Sequence, residues 1–148
     1  MLPPNAEVQA RCRREALNID DRQAKANPTN TVWQRELSVS YAKVADVLHA
    51  QGNLAEALNS YQEALNIDDR HAKANATNAD WQSDLSVSYQ RVGEVLQAQG
   101  KLDEALKSYQ DGLAIADRLA RGDPANADRQ RGVFSYYNRF GDVLRVQG

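Results

Sequence analysis

WQRELSVSYAKVADVLHAQGNLAEALNSYQEALNIDDRHAKANATNAD runs from residue 33 to residue 80, and at Trp81 the chain starts over with WQSDLSVSY. The offset is 81 − 33 = 48 residues. The same step carries EALNIDDR at 15–22 onto EALNIDDR at 63–70, Gln34 onto Gln82 and Gln130, and AQG at 50–52 onto AQG at 98–100 and VQG at 146–148. Self-similarity at a fixed period, kept without insertion or deletion, marks a repeat array in which neighbouring units build the core between them.

Within a unit the pattern is helical. Leu37, Tyr41, Val44 and Leu48 follow one another at spacings of four, three and four, and Leu85, Tyr89, Val92 and Leu96 repeat the stripe. A second stripe holds Leu54, Ala57, Leu58, Tyr61, Ala64 and Leu65, then Leu102, Ala105, Leu106, Tyr109, Gly112 and Leu113. Small residues on it let the partner helix approach while tyrosines fill the space beside them. Asn27-Pro28-Thr29-Asn30, Asn75-Ala76-Thr77-Asn78 and Asp123-Pro124-Ala125-Asn126 break the pattern, and each asparagine is placed to cap a new helix. Gly52 and Gly100 end the first helix of each unit as C′ residues. The expectation is an all-α fold of antiparallel helix hairpins with six helices at 6–26, 30–51, 54–74, 78–99, 102–122 and 126–147. An N-terminal arm at 1–5 precedes a solenoid at 6–148. The solenoid divides into a capping half repeat at 6–26, repeats at 30–74 and 78–122, and the first helix of a further repeat at 126–148. Gln9 and Arg13 stand where Ala57 and Tyr61 stand, giving the first helix the polar turns of a cap.

Composition narrows the function. With 18 basic against 20 acidic side chains and a net charge of −2, no global field draws in nucleic acid or an anionic membrane surface. No window reaches the roughly 18 apolar residues of a membrane helix, and MLPPNAEVQARCRREA lacks an apolar leader. Cys12 is the single cysteine, so no internal disulfide forms, and a cytoplasmic, reducing setting is expected. His49 and His71 do not recur as a metal-ligand set. Each reads as a surface variant of the residue one repeat on, Gln97 and Leu119. There is no phosphate loop, dinucleotide fingerprint, nucleophile elbow or HExxH. Asp20-Asp21 and Asp68-Asp69 are paired carboxylates in form, but adjacent helical residues point in different directions. No catalytic residue, metal or cofactor is expected.

The units resemble the tetratricopeptide repeat. Its pattern of aromatic, leucine-glycine, aromatic, small residue, aromatic and proline falls on Tyr89, Val92-Gly93, Leu96, Gly100, Ala105, Tyr109, Gly112 and Asp117. One period earlier it falls on Tyr41, Val44-Ala45, Leu48, Gly52, Ala57, Tyr61, Ala64 and Asp69. The unit departs from the family in its length of 48 residues, in valine for leucine, and in aspartate for proline. The resemblance implies a right-handed superhelical solenoid whose first helices line a concave groove for a peptide or partner protein. In that register the groove positions are Val39, Ala42, Lys43, Asp46 and His49, then Val87, Gln90, Arg91, Glu94 and Gln97, then Ser135, Asn138, Arg139, Asp142 and Arg145. Lys43, Arg91 and Arg139 form a basic row beside the acidic row Asp46, Glu94 and Asp142, each pair three apart on one helix. The rows read either as a grip on an extended segment bearing both charges or as solvated pairs within each helix. Members of the family that bind chaperones use lysine and asparagine at particular groove positions. Acids occupy one of those positions here, which speaks against that partner class. An RNA-binding helical repeat is the other class to weigh, and the acidic row speaks against it.

The last expected helix is more apolar than its counterpart. Ser86 becomes Phe134, Ser88 Tyr136, Val92 Phe140 and Ala98 Val146, while Tyr137 and Leu144 keep the aromatic and the leucine. This predicts self-association through Phe134, Tyr136, Tyr137, Phe140 and Leu144. A two-fold homodimer is expected in preference to a contact with the N-terminal helix, whose first turns are polar.

Overall fold

The computed structural model describes residues 4–148; Met1, Leu2 and Pro3, most of the expected arm at 1–5, lie outside the described residues. Among the described residues there are six helices and no strand: α1 (Pro4–Ala26), α2 (Thr31–Ala50), α3 (Leu54–Ala74), α4 (Ala79–Ala98), α5 (Leu102–Gly122) and α6 (Ala127–Gln147). The fold is all-α, as expected. α1 starts at Pro4 rather than at residue 6, so Pro4 and Asn5 belong to the helix and not to an arm. A proline in the first turn is tolerated because its missing N–H would have no helical acceptor. The chain divides into two compact units, Met1–Ile67 and Asp68–Gly148, with the boundary inside α3.

Polar side chains organise the turns. Asn30, Asn78 and Asn126 are extended N-cap residues whose side-chain oxygens accept from the amides two and three positions on. Four residues later a glutamine reaches back. Gln34 Nε2 donates to Ala24 O at 3.2 Å, Gln82 to Ala72 O at 3.0 Å and Gln130 to Ala120 O at 3.4 Å. Gln34 and Gln82 thus give a partner to a carbonyl in the last turn of the preceding helix, while Ala120 O accepts from Gln130 in addition to Asp123 N at 3.3 Å. The opposite turns use backbone alone. Gly52 and Gly100 have φ of +79° and +76°. Asn53 N donates to Leu48 O and Lys101 N to Leu96 O, both at 2.9 Å, the six-to-one bond of a Schellman ending.

In the first unit α1 packs on α2. Ala24, Leu37 and Ile67 are buried there, with Leu17, Trp33 and Tyr41 half-buried around them. Val44, Ala45, Leu48, Ala57, Tyr61 and Ala64 complete this core. Ser40 Oγ donates to Asp20, and the Tyr61 hydroxyl donates to Asp46.

In the second unit α5 packs on both α4 and α6. Leu85, Val92 and Leu96 are buried on α4, opposite Ala105, Tyr109, Ile115 and Ala116 of α5 and Tyr136 and Val143 of α6. The expected leucines of the second helices, Leu102, Leu106 and Leu113, are only half-buried. The centre of that face belongs to Ala105, Tyr109 and Gly112. Two glycines let rings in: a Cβ on Gly93 would overlap the Tyr109 ring, and one on Gly112 would overlap the Tyr136 phenol. Tyr109 meets Tyr136 and Phe140 edge to face at 6.4 and 6.2 Å. The carboxylates Asp68 and Asp69 point apart. Asp68, 3% exposed, accepts from Ser88 Oγ at 2.6 Å, while Asp69 pairs with Lys73 at 2.6 Å. His71 is not a plain surface residue: its ring stacks on Trp81 at 4.4 Å and 16°. Trp81 is the large flat neighbour that makes this position a packing site.

Two outcomes follow from this packing. Gly93→Ala lowers stability by about 1–3 kcal/mol through overpacking. Gly141→Ala, one period on and with nothing within 4 Å of the added Cβ, raises it by about 0.5–1 kcal/mol through helix propensity. Thermal unfolding of the two variants checks this; equal midpoints would contradict the assigned contact. The second outcome concerns pH. Burial, and secondarily Arg70, push the His71 pKa below its ordinary 6.5. The folded state therefore favours the neutral ring, and the resulting stability is complete above about pH 6.5 and lost as pH falls through the lowered value. His71→Leu, which installs the residue found at 119, removes that part of the acid-side fall in Tm. An unchanged pH profile in the variant would count against the stacked ring as its source.

Candidate functional site

The residues lining the groove between α4 and α6 depart from the repeat at three places. Position 33 holds Trp and position 81 holds Trp, but position 129 holds Arg. Position 71 holds His and position 119 Leu; positions 36 and 84 hold acids and position 132 holds Gly. Where Trp81 and His71 fill their corner with stacked rings, Arg129 instead sends Nη1 to Leu119 O at 3.2 Å and lies 3.7 Å from Asp123. Gly132 adds no side chain at all. The result is a cavity of about 360 Å³ between α4 and α6 with α5 as its floor. Ala79, Val87, Ala116, Leu119 and Gly132 make it largely apolar; Asp80, Ser83, Gln90, Asp128 and Arg129 supply polar groups at its edges. Clefts of this size, apolar with a few polar groups, are where proteins hold ligands or inserted side chains.

The positions expected to line a groove are distributed as follows. In the first unit Lys43 and Asp46 are exposed, and Val39 is exposed while Ala42 and His49 are half-buried. Asp46 is engaged by the Tyr61 hydroxyl. In the second unit Val87 is 52% exposed on the rim of the cavity, and Gln90 lies in its wall. Gln90 Nε2 donates to Glu94 at 2.9 Å, and Arg139 Nη2 lies 2.7 Å from the same carboxylate. Gln90, Glu94 and Arg139 are thus brought together across two helices. The expected bond of Arg139 to Asp142 within one helix is replaced by this ion pair, because the Glu94 side chain, only 15% exposed, offers a better sheltered acceptor. Gln97 accepts from the Tyr109 hydroxyl at 2.9 Å. Burial, and then Glu94, push the Tyr109 phenol well above its ordinary range, so that hydroxyl stays a donor. Arg91 and Asn138 are exposed, Ser135 is half-buried, and Asp142 contacts Arg145 at 3.5 Å.

The residues expected to self-associate divide into two groups. Phe134, Tyr137 and Leu144 are 65%, 61% and 58% exposed. Tyr136 is not available: it is 1% exposed, and its hydroxyl donates to Ser86 O. Burial pushes its pKa up to about 12. The missing Cβ of Gly112 makes room for that ring inside the fold, and Phe140 is half-buried against Tyr109. The cavity itself was not anticipated. Its signal was present in the sequence as the three departures at 119, 129 and 132.

Among the described residues no group of three or more His, Cys, Asp or Glu could hold a metal ion, and no helix is long and apolar enough to cross a membrane. A second cavity, on the other side of α4, is lined by Asp69, Lys73, Tyr89, Asp111 and Arg118. Its charges are engaged internally, Lys73 with Asp69, Asp111 with Lys107 and Arg118 with Gln82.

Two family descriptions, both of the tetratricopeptide repeat, match the sequence, one at residues 39–71 and one at residues 80–120. A search of curated proteins returns no match. Among solved structures the chain is similar to the crystal structure of BtubC (BKLC) from P. vanneervenii, with a TM-score of 0.69 and 19% sequence identity. The alignment covers 98% of this chain and 51% of that one, so the chain spans about half the length of that protein. At this identity the likeness concerns the fold alone. With two matched repeats, six helices in hairpin order and glycine-ended first helices, the chain belongs to the tetratricopeptide-repeat family.

Proposed function

We propose that this chain is a non-enzymatic interaction module that binds an extended segment of a partner protein along α4 and α6, with one apolar side chain of the partner in the cavity beside Gly132. The observation that carries this reading is the cavity itself, opened at three positions where the repeat is otherwise regular. Val87 offers apolar contact at the rim, and Asp80 offers a carboxylate for a cation or amide of the bound segment. The row formed by Gln90, Glu94 and Arg139 is internally satisfied, so it shapes the wall instead of gripping charge. In this reading Arg91, Gln97, Asn138, Asp142 and Arg145 are further contacts of the bound segment, and Lys43, Asp46 and His49 on α2 are candidate contacts of the first unit by itself. We read the unit as a lengthened tetratricopeptide repeat of 48 residues, divided into a cap helix, repeats at 30–74 and 78–122 and the first helix of another. The setting is cytoplasmic, which suits the single exposed thiol of Cys12. Nucleic acid is not the proposed ligand, since Asp80 and Asp128 give the cavity mouth acidic groups.

A second reading is favoured by one specific observation. Phe134, Tyr137 and Leu144 are exposed together on α6, and an apolar stripe of this kind on a helix is a surface for self-association.

Gly132→Leu tests the first reading. A Cβ at Gly132 has nothing within 4 Å, so the added side chain enters the cavity without straining the helix. The expected outcome is an unchanged or slightly raised Tm together with at least a tenfold loss of binding to partners captured by the wild-type chain. Full retention of binding would place the partner elsewhere.

A further inference from the structure

The rim of the cavity between α4 and α6 holds a carboxylate that lacks the cation its counterpart has. At the start of α6, Arg131 Nη1 lies 3.0 Å from Asp128 Oδ1, an ion pair three residues apart on one helix. One period earlier the carboxylate is kept as Asp80, but the arginine position holds Ser83. A further period back that position is arginine again, Arg35, so the serine is the departure. Asp80 and Ser83 are both exposed, and both line the cavity. Among the described residues the Asp80 side chain has no hydrogen bond or ion pair; its amide donates to the Asn78 side chain at 3.0 Å.

The other charges at this cavity are balanced where they stand. Arg129 Nη1 donates to Leu119 O at 3.2 Å and lies 3.7 Å from Asp123 Oδ2. Setting Arg129 against Asp123 and Asp128 against Arg131 leaves Asp80 as the uncompensated charge of the lining. The neutral groups lean the same way. Gln90 Nε2 donates to Glu94 at 2.9 Å, which leaves the Gln90 carbonyl oxygen to accept. Ser86 and Tyr136 have one hydroxyl proton each, and the carbonyls of Gly112 and Ser86 take them, so neither has a proton to offer a ligand. The α4 side of the cavity therefore accepts far more than it donates.

We infer that the segment held in this cavity is basic: a lysine or arginine stands next to the apolar residue beside Gly132, and its head group takes at Asp80 the place that Arg131 takes at Asp128. This inference rests on the reading of the cavity as a peptide site. Basic side chains lay their stems along apolar surface and keep the charge in water. Val87, 52% exposed at the rim, offers the stem such a surface, and the exposed Asp80 meets the head group. An acidic segment would meet like charge at Asp80 and Asp128 instead.

Titration of the whole ¹⁵N-labelled chain, followed by amide shifts up to millimolar peptide, tests the inference. The probes are three ten-residue peptides of glycine and serine with one central leucine, flanked by lysine, by glutamate or by serine. The lysine peptide is expected to bind at least about threefold more tightly than the glutamate peptide, as a rim-exposed ion pair allows, with shifts at Asp80, Ser83 and Gly132. Ser83→Arg gives Asp80 the internal partner that Asp128 has and is expected to abolish the preference while leaving Tm unchanged. A lysine preference that survives in Ser83→Arg would overturn the assignment to Asp80. Equal binding of the three peptides, lost in Gly132→Leu, would overturn the basic segment and leave the cavity as a peptide site. Absence of binding by all three would overturn both.

Discussion

A tyrosine ring lying on a residue without a Cβ sets how closely α4, α5 and α6 approach. Tyr109 lies over Gly93, and Tyr136 enters the space left at Gly112. Both rings are essentially fully buried, and both hydroxyls are bonded, to Gln97 and to Ser86. A buried phenol without an acceptor would cost free energy comparable to a lost hydrogen bond. The same two residues therefore fix the helix spacing through their rings and the helix register through their oxygens. Position 64 holds Ala and position 88 Ser where positions 112 and 136 hold Gly and Tyr. Side-chain volume has moved from one helix to the other along the array.

Most of this architecture was legible in the sequence because its determinants are local. The helix starts follow from Asn30, Asn78 and Asn126, and the glycine endings from Gly52 and Gly100, each a matter of a few consecutive residues. The apolar stripes gave the phase of α2 and α4 correctly, with Leu37, Val44, Leu48, Leu85, Val92 and Leu96 buried as their spacing required. What periodicity does not encode is how residues from different helices share space. Leu102 and Leu106 satisfy a helical stripe as well as Ala105 does, yet the alanine lies at the centre because only a small side chain permits close approach.

The candidate site was less legible for the same reason. Reading groove positions from a register treats each helix as independent, and so pairs Arg139 with Asp142, its neighbour on the same helix. The sheltered Glu94 on α4 competes for that guanidinium and wins. Tyr136 was grouped with Phe134 and Tyr137 as an exposed apolar residue, although adjacent helical positions face different ways. The decisive partner, Gly112, lies on another helix. The cavity at Gly132 is a site made by subtraction, and a missing ring or carboxylate carries no motif of its own.

The glutamine that reaches back across each connecting turn has a consequence for how such a chain can vary. Gln34, Gln82 and Gln130 each bond a carbonyl ten residues earlier. One residue added to the turn lengthens the path by as much as about 3.3–3.6 Å, more than a hydrogen bond can stretch, and would break the bond. The latch therefore acts as a gauge on turn length. Change is diverted from the number of residues to their identity, so that new chemistry, such as Arg at 129 or Gly at 132, arrives at an address already fixed.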